Sequence, residues 1–178
     1  MGARPSSSIL FLNASPERIK TPPPLVIKMD VPTLVKQTNG FEHFNPMQSK
    51  VLLANWKTQN LVVASPTASG KTIIAELTGL ESIFNKRKKA VYTCPLRALA
   101  HEHHRDLKEK YSKPHQIKMA VSTGDLDSSS KHLSNVDFIF TTYEKLDSLL
   151  IHRTEWLNQI GVLIIDEVHE LDSDRGAT

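Results

Sequence analysis

The sequence has a single cysteine among its 178 residues, and it has few aromatic residues. One cysteine excludes an internal disulfide framework and favours a reducing, intracellular compartment. Because Cys94 follows a strand-like run, we expect a buried thiol rather than a nucleophile. No apolar run approaches the ~18 residues of a membrane-spanning helix. The early cluster at residues 9–12 is too short for a secretory signal.

Neither sign of charge is in strong excess, since the formal net charge is +3. Such a balance permits a polyanionic partner without requiring one. With 39% hydrophobic residues, the chain is long enough for one α/β domain that buries about 70% of its extended surface. Residues 1–24, rich in proline and serine, are interpreted as a flexible arm. Residues 25–178 are interpreted as one domain.

A turn of small residues lies between the apolar run at 61–64 and a periodic segment that begins at Ile73. We expect a buried strand, a loop and a helix, which together aim several backbone N–H groups at one point. That point suits a phosphate, with Lys71 reaching the outer phosphates and Thr72 ligating Mg²⁺. The strict P-loop pattern asks for glycine in place of Ser65, so a turn that binds nothing stays an alternative. This phosphate turn comprises Ser65, Pro66, Thr67, Ala68, Ser69, Gly70, Lys71 and Thr72.

Upstream of this turn, two short helices are predicted. The first ends at Gly40, a residue that suits a helix C-cap. Asn45 is expected to cap the second, with Pro46 in its first position. Gln48 lies where its amide could reach back in a capping box. The local residues support this structural role and a binding role for Gln48 about equally.

From residue 90 onward one layout repeats: a short apolar run, a polar or small-residue break, and then a helical pattern. Strands that alternate with helices indicate a parallel sheet with right-handed crossovers. The carboxyl ends of such strands lie at one edge, where ligands bind. We therefore expect the breaks to line one rim together with the phosphate turn. The apolar runs are residues 90–94, 117–121, 138–140 and 162–165.

Two acidic residues follow the last of these runs. Burying the Asp166 carboxylate costs several kcal/mol unless a cation or donors meet it, which makes a simple helix cap the weaker interpretation. Across the rim from Lys71 and Thr72, Asp166 would hold Mg²⁺ through water. Glu167 would then orient and deprotonate the water that attacks the γ-phosphate. The predicted catalytic residues are Glu167, Asp166 and Lys71, and the predicted metal ligands are Thr72 and Asp166.

Two further clusters receive a plainer interpretation. The basic run at residues 85–89 joins a helix to a strand, and a solvated turn is favoured over a targeting or nucleic-acid role. The run His101-Glu102-His103-His104 lacks the histidine that a zinc-protease helix needs where Arg105 stands. It is therefore predicted to lie on an ordinary amphipathic helix.

Taken in order, these motifs resemble the first RecA-like domain of superfamily 2 DExH-box helicases of the Ski-two-like group, and within it the archaeal DNA-repair helicases. Residues 44–48 resemble the Q motif, 65–72 motif I, 95–100 motif Ia and 166–169 motif II. The resemblance implies the cofactors ATP and Mg²⁺, with Gln48 reading adenine and His169 coupling nucleotide state to the rest of the site. The nucleic-acid contacts that it implies are Arg97, Thr123, Gly124, Asp125, Thr142 and Lys145.

The family's motif III, second RecA-like domain and arginine-bearing motif VI are not found in the sequence. We therefore expect a C-terminally truncated P-loop NTPase domain, the ATP-binding half of a 3′ to 5′ helicase that favours DNA. Alone, it should bind ATP and a single strand with little turnover. In the family, the strand that leads to motif III separates the strands of motifs I and II, so an exposed seam is expected there. The alternatives are an RNA helicase of the same group, another P-loop NTPase such as a kinase, and a non-catalytic binding module.

Overall fold

The computed structural model describes residues 28–66, 69–124, 130–168 and 170. The predicted arm at residues 1–24 lies outside these ranges. So do four predicted site residues, Thr67, Ala68, Asp125 and His169.

One parallel sheet forms the centre of the fold, with strand order β2-β3-β1-β4. Its two inner strands, β1 and β3, are buried along their whole length, as expected for parallel strands that are covered on both faces. The predicted parallel α/β architecture is therefore confirmed. The strands are β1 Lys89–Cys94, β2 Met119–Ser122, β3 Phe138–Thr142 and β4 Ile160–Ile165.

Helices cover the sheet, and the sequence correctly predicts where α1 ends and where α2 begins. Gly40 closes α1 in the left-handed conformation with φ of 70°, and Asn45 caps α2 in a capping box with Gln48. A π-helical turn, Lys108–Ser112, separates α4 from α5. The α-helices are α1 Val31–Asn39, α2 Pro46–Leu53, α3 Lys71–Lys86, α4 Arg97–Leu107, α5 Lys113–His115 and α6 Tyr143–Ile151. Within the described ranges, none of the helices combines the length and apolarity needed to cross a membrane.

Alternate residues of the central strands supply two hydrophobic cores. Tyr92 and Phe140 face a larger core that also contains buried residues of α1, α3 and α4. Val91 and Ile139 face a smaller core with Leu146 of α6. This period-two division fixes which side chains of each strand face which helices.

The strand predicted at residues 61–64 is wrong. Residues 61–66 have no regular secondary structure, and Val62 is 91% exposed. A strand needs a neighbour to pair its backbone N–H and C=O groups, and among the described strands β4 pairs with β1 alone. Accordingly β4 is an edge strand, and Leu163 and Ile165 on it are 45% and 44% exposed.

Candidate nucleotide-binding site

Helix α3 carries Lys71 and Thr72 to the carboxyl end of the sheet. Near the other end of α3, Ser82 Oγ donates to the carbonyl oxygen of Lys89, where β1 begins. A Cβ on Gly161, at the start of β4, would lie 2.4 Å from the same Ser82 oxygen. Because α3 also packs on β1 and β4, we infer that it runs antiparallel to both strands. Its 16 residues span about 24 Å and the six of β4 about 20 Å, so the first turn of α3 reaches the end at which Asp166 follows β4.

The phosphate turn presents unfilled hydrogen-bonding capacity. Gly70 begins α3 in the left-handed conformation with φ of 84°, and no side-chain hydrogen bond caps the helix there. Ser69 Oγ is buried without a hydrogen-bond partner among the described residues. Lys71 Nζ donates to the carbonyl oxygens of Ser65 and Pro66, at 2.8 and 3.3 Å. Uncapped N–H groups at the positive end of a helix, a buried hydroxyl and a lysine fit the phosphates of a nucleotide.

Gln48 joins α2 to the phosphate turn. Its Oε1 accepts a hydrogen bond from the backbone N–H of Asn45, and its Nε2 donates to the carbonyl oxygen of Gly70 at 3.1 Å. Asn45 Nδ2 donates to the carbonyl oxygen of Ser69 in parallel. The capping role that the sequence suggests for Gln48 is thus present. The same amide also positions the phosphate turn, and adenine recognition by Gln48 stays a prediction.

The Asp166 side chain lies among groups that the sequence did not indicate. The Tyr92 hydroxyl donates to Asp166 Oδ2 at 2.5 Å, and His103 Nε2 lies 3.7 Å from the same oxygen. The Tyr143 hydroxyl donates to the Asp166 backbone carbonyl. The side chain keeps 24% of its surface exposed. A carboxylate held by donors and still open to solvent fits a Mg²⁺ ligand that acts through water.

The backbone changes conformation at Glu167, directly after Asp166. Its backbone is left-handed, with φ of 51°, a conformation that costs a non-glycine residue about 1–2 kcal/mol. The Glu167 backbone N–H donates to Asp166 Oδ1 at 3.0 Å, which helps to hold this bend. Strained residues of this kind cluster at functional sites, and this observation favours the predicted role of Glu167 as a base.

Burial raises the pKa of the two phenols beside Asp166. The pKa of Tyr143 rises to about 12 through burial, with the Asp166 charge as the next cause. Burial and the hydrogen bond to Asp166 also raise the pKa of Tyr92. Both phenols therefore stay protonated donors at neutral pH. Burial raises the pKa of Cys94 to about 11, and this fits the inert thiol expected from the sequence.

The residues implied to contact nucleic acid separate into two groups. Arg97 is exposed at the start of α4, and Thr123 and Gly124 are half-buried directly after β2. Thr142 and Lys145 are only 3% and 8% exposed. The Thr142 hydroxyl accepts a hydrogen bond from the Lys145 backbone N–H and caps α6. Because the Thr142 hydroxyl has this structural role and the Lys145 side chain is buried, the structure gives no support to the nucleic-acid contacts predicted for these two residues.

The parallel sheet with α3 beginning at its phosphate turn belongs to the class of P-loop, RecA-like α/β domains. A profile described as DEAD/DEAH box helicase matches residues 45–178. The chain belongs to this family.

Relatives and solved structures give the same assignment. The chain is 42% identical over 146 residues to the ATP-dependent DNA helicase Hel308 of Pyrococcus abyssi, an alignment that covers 81% of this chain and 20% of the relative. Identity to Hel308 of Pyrococcus horikoshii is 40%, with the same coverage. The chain thus spans about a fifth of the length of these relatives. The resemblance to Ski-two-like archaeal DNA helicases is confirmed.

The crystal structure of the DUF1998 helicase MrfA bound to DNA and AMPPNP is similar, with a TM-score of 0.67 and 26% identity over 84% of this chain and 22% of that one. A hypothetical ATP-dependent RNA helicase from Sulfolobus tokodaii shares the fold, with a TM-score of 0.61 at 22% identity over 78% of this chain and 42% of that one.

Proposed function

We propose that the chain binds ATP with Mg²⁺ at the carboxyl end of its sheet. The proposal is supported mainly by the inferred shared end of the sheet: the packing of α3 indicates that its uncapped first turn and the Asp166 carboxylate both lie there. Lys71 would exchange its two carbonyl partners for phosphate oxygens, and Thr72 and Asp166 would hold the cation. Glu167 would orient the attacking water. When bound, Mg²⁺ supplies neutralisation of charge on the phosphates.

We further propose that the whole protein is an ATP-dependent helicase that moves 3′ to 5′ along a single strand of DNA. The names of the relatives support ATP dependence and DNA, and the similar MrfA helicase was crystallised bound to DNA and AMPPNP. Arg97 and the backbone at Thr123 and Gly124 would contact the strand at the rim. Contacts with the phosphate backbone make such binding sequence-tolerant and salt-sensitive.

On its own, the chain is proposed to turn ATP over very slowly. Arginines supplied from another domain contribute roughly 10³ to 10⁵ in rate at related phosphoryl-transfer sites. The stretch aligned here is about a fifth of the relatives' length. An arginine that lies outside that fifth would not be supplied by this chain.

Binding of a fluorescent ATP analogue to this chain, with Mg²⁺ present, tests the nucleotide site. Lys71→Ala should weaken binding about 10- to 100-fold, the worth of a charge-assisted hydrogen bond. Lys50→Ala, which removes an exposed lysine from α2, is the matched control and should leave binding unchanged. Glu167→Gln should also bind normally, because the proposed base acts only on the attacking water. Equal binding by the Lys71 and Lys50 variants would refute the proposed site.

ATP hydrolysis by the protein that carries this chain with its remaining domains tests the wider proposal. Single-stranded DNA should stimulate hydrolysis, and Glu167→Gln should abolish it. Stronger stimulation by RNA than by DNA would favour an RNA helicase. Hydrolysis without stimulation by either nucleic acid would favour a kinase-like P-loop enzyme. The absence of any hydrolysis would favour a non-catalytic binding module. Partial duplexes with a 3′ or a 5′ tail then give the polarity.

A further inference from the structure

A cavity lies at the opposite end of the sheet from the candidate nucleotide site. Its volume is about 690 Å³, within the range of about 300–1,000 Å³ that is usual for ligand sites. The walls come from the end of α3 and the start of β1, from the segment between α5 and β2, and from the segments before β3 and β4. The lining residues used below are Phe84, Arg87, Lys88, Lys89, His115 and Lys118.

Positive charge dominates this basic cavity. Arg87, Lys88, Lys89 and Lys118 line it, and Asp137 is the one carboxylate among its lining residues. The Asp137 carboxylate also accepts the backbone N–H of Lys118 at 2.8 Å. The sequence favoured a solvated turn for the basic run at 85–89. In the structure, the last three residues of this run line a concave surface together with Lys118, which lies some thirty positions further along the chain.

Lys89 places part of this charge in the protein interior. The residue is 7% exposed, and its Nζ donates to the carbonyl oxygens of Ser134 and Val136, at 2.7 and 2.6 Å. Burial lowers its pKa, the Asp137 charge opposes that shift, and Lys118 adds to it. A further negative charge in the cavity would favour the protonated form of Lys89. The electrostatics of the cavity therefore favour the binding of an anion.

The remaining walls suit more than a bare anion. The rings of Phe84 and His115 meet edge to face, with centroids 5.9 Å apart, and both side chains are partly exposed. Side-chain amides of Gln116, Asn135 and Asn158 also line the cavity. Surfaces that bind single strands combine cationic side chains along the path of the phosphate backbone with aromatic rings on which bases stack. An acidic peptide would use the cations but not the rings.

We propose that the basic cavity binds a single-stranded nucleic acid, with the backbone phosphates on Arg87, Lys88 and Lys118 and a base against Phe84. This second site is separate from the rim at the carboxyl end of the sheet and does not depend on the proposed helicase function. It would hold a strand, or a tail of the same strand, on the far side of the domain from ATP.

Binding of a fluorescein-labelled oligothymidylate, followed by anisotropy at several salt concentrations, tests the cavity. The test variant combines Arg87→Asn, Lys88→Gln and Lys118→Gln. Asparagine tolerates the left-handed backbone of residue 87, whose φ is 56°. The control combines Lys36→Gln, Lys50→Gln and Arg105→Gln, with the same loss of charge at residues that do not line the cavity.

Each phosphate contact contributes about 0.7 to the slope of log affinity against log salt for single strands, so three lost contacts reduce the slope by about 2. Between about 50 and 200 mM NaCl, the wild-type affinity should therefore fall roughly 20-fold more than that of the test variant. The control should keep the wild-type slope. Equal slopes for the test and control variants would overturn the proposal.

Amide chemical-shift changes locate the bound ligand on the folded protein. Oligothymidylate should shift the signals of residues 83–89 and 115–118, and it should do so in Arg97→Gln as well, where contact at the rim is weakened. Tripolyphosphate serves as the probe for free phosphates, and an oligo-glutamate peptide as the probe for acidic protein. Tighter binding of either probe than of the oligonucleotide would overturn the assignment to nucleic acid. Shifts confined to the rim would overturn it too, while supporting the proposed strand path.

Discussion

Replacing Glu76 should destabilise the chain more than replacing any other carboxylate on the same helix. Glu76 lies on α3, four residues after Thr72, and is fully buried. Its Oε2 accepts hydrogen bonds from the Tyr111 hydroxyl at 2.6 Å and from Asn39 Nδ2 at 2.7 Å. Lys110 Nζ lies 2.8 Å from its Oε1. The carboxylate therefore joins α1, α3 and the π-helical turn through three donors.

The cost of Glu76→Gln follows from these donors. Glutamine offers one acceptor oxygen in place of two, and its NH₂ group would face a donor. It also leaves Lys110, which is 33% exposed, without its counter-ion. Breaking a buried ion pair costs about 3–5 kcal/mol, and the partial exposure of Lys110 favours about 3 kcal/mol here. For a chain of this length, the melting temperature should fall by roughly 6–12 °C.

Glu81→Gln is the matched control, since Glu81 is also buried on α3. Its cation, Lys57, lies 3.4 Å away and is 48% exposed, and its bond from Asn85 Nδ2 survives the change to an amide. We expect a loss of about 1 kcal/mol. Urea unfolding monitored by circular dichroism measures both variants. If Glu76→Gln cost no more than Glu81→Gln, the network would not stabilise the fold as reasoned.

Three further outcomes are expected. Gly70→Ala should weaken nucleotide binding and stability more than Gly40→Ala. Both backbones are left-handed, but only at Gly70 would the new Cβ meet a neighbour, Gln48 Nε2 at 2.7 Å. Equal losses for the two variants in calorimetry would contradict this. In the folded chain Cys94, fully buried with a pKa of about 11, should react with a thiol reagent only after unfolding. Burial raises the pKa of all three tyrosines, so tyrosinate absorbance should not appear near pH 10. For Tyr143, the unfolded chain loses its proton first, so this contribution to stability is complete below about pH 10 and lost by about pH 12.

Local sequence signals predicted the elements that depend on local chemistry. Asn45, Pro46 and Gln48 specify the start of α2 through a capping box, and Gly40 specifies the end of α1. Each strand that has a paired neighbour was found from its apolar run. The strand expected at residues 61–64 was not, because apolar character does not supply the hydrogen-bonding partner that a strand requires.

The surroundings of Asp166 depend on register, which no local pattern encodes. In the sheet, Tyr92 pairs with Ile164, so its side chain lies on the same face as Asp166 and close to it. A one-residue shift would have turned the phenol to the other core. The basic cavity has the same origin, since its walls come from four separate parts of the chain. The alternation of strands and helices predicted only that polar breaks share a rim, not which side chains meet there.

Helix α4 physically connects two parts of the candidate site that the motifs treat as separate. Its first residue is Arg97, the exposed candidate for strand contact, and His103, less than two turns later, lies against Asp166 and the ring of Tyr92. The helix is 11 residues long and packs on β1 and β3, so the two residues are held on one continuous element. We propose that a displacement of Arg97 by a bound strand would shift His103 relative to the carboxylate proposed to hold Mg²⁺. Helix α4 would thus be an element shared by the proposed nucleotide and strand contacts.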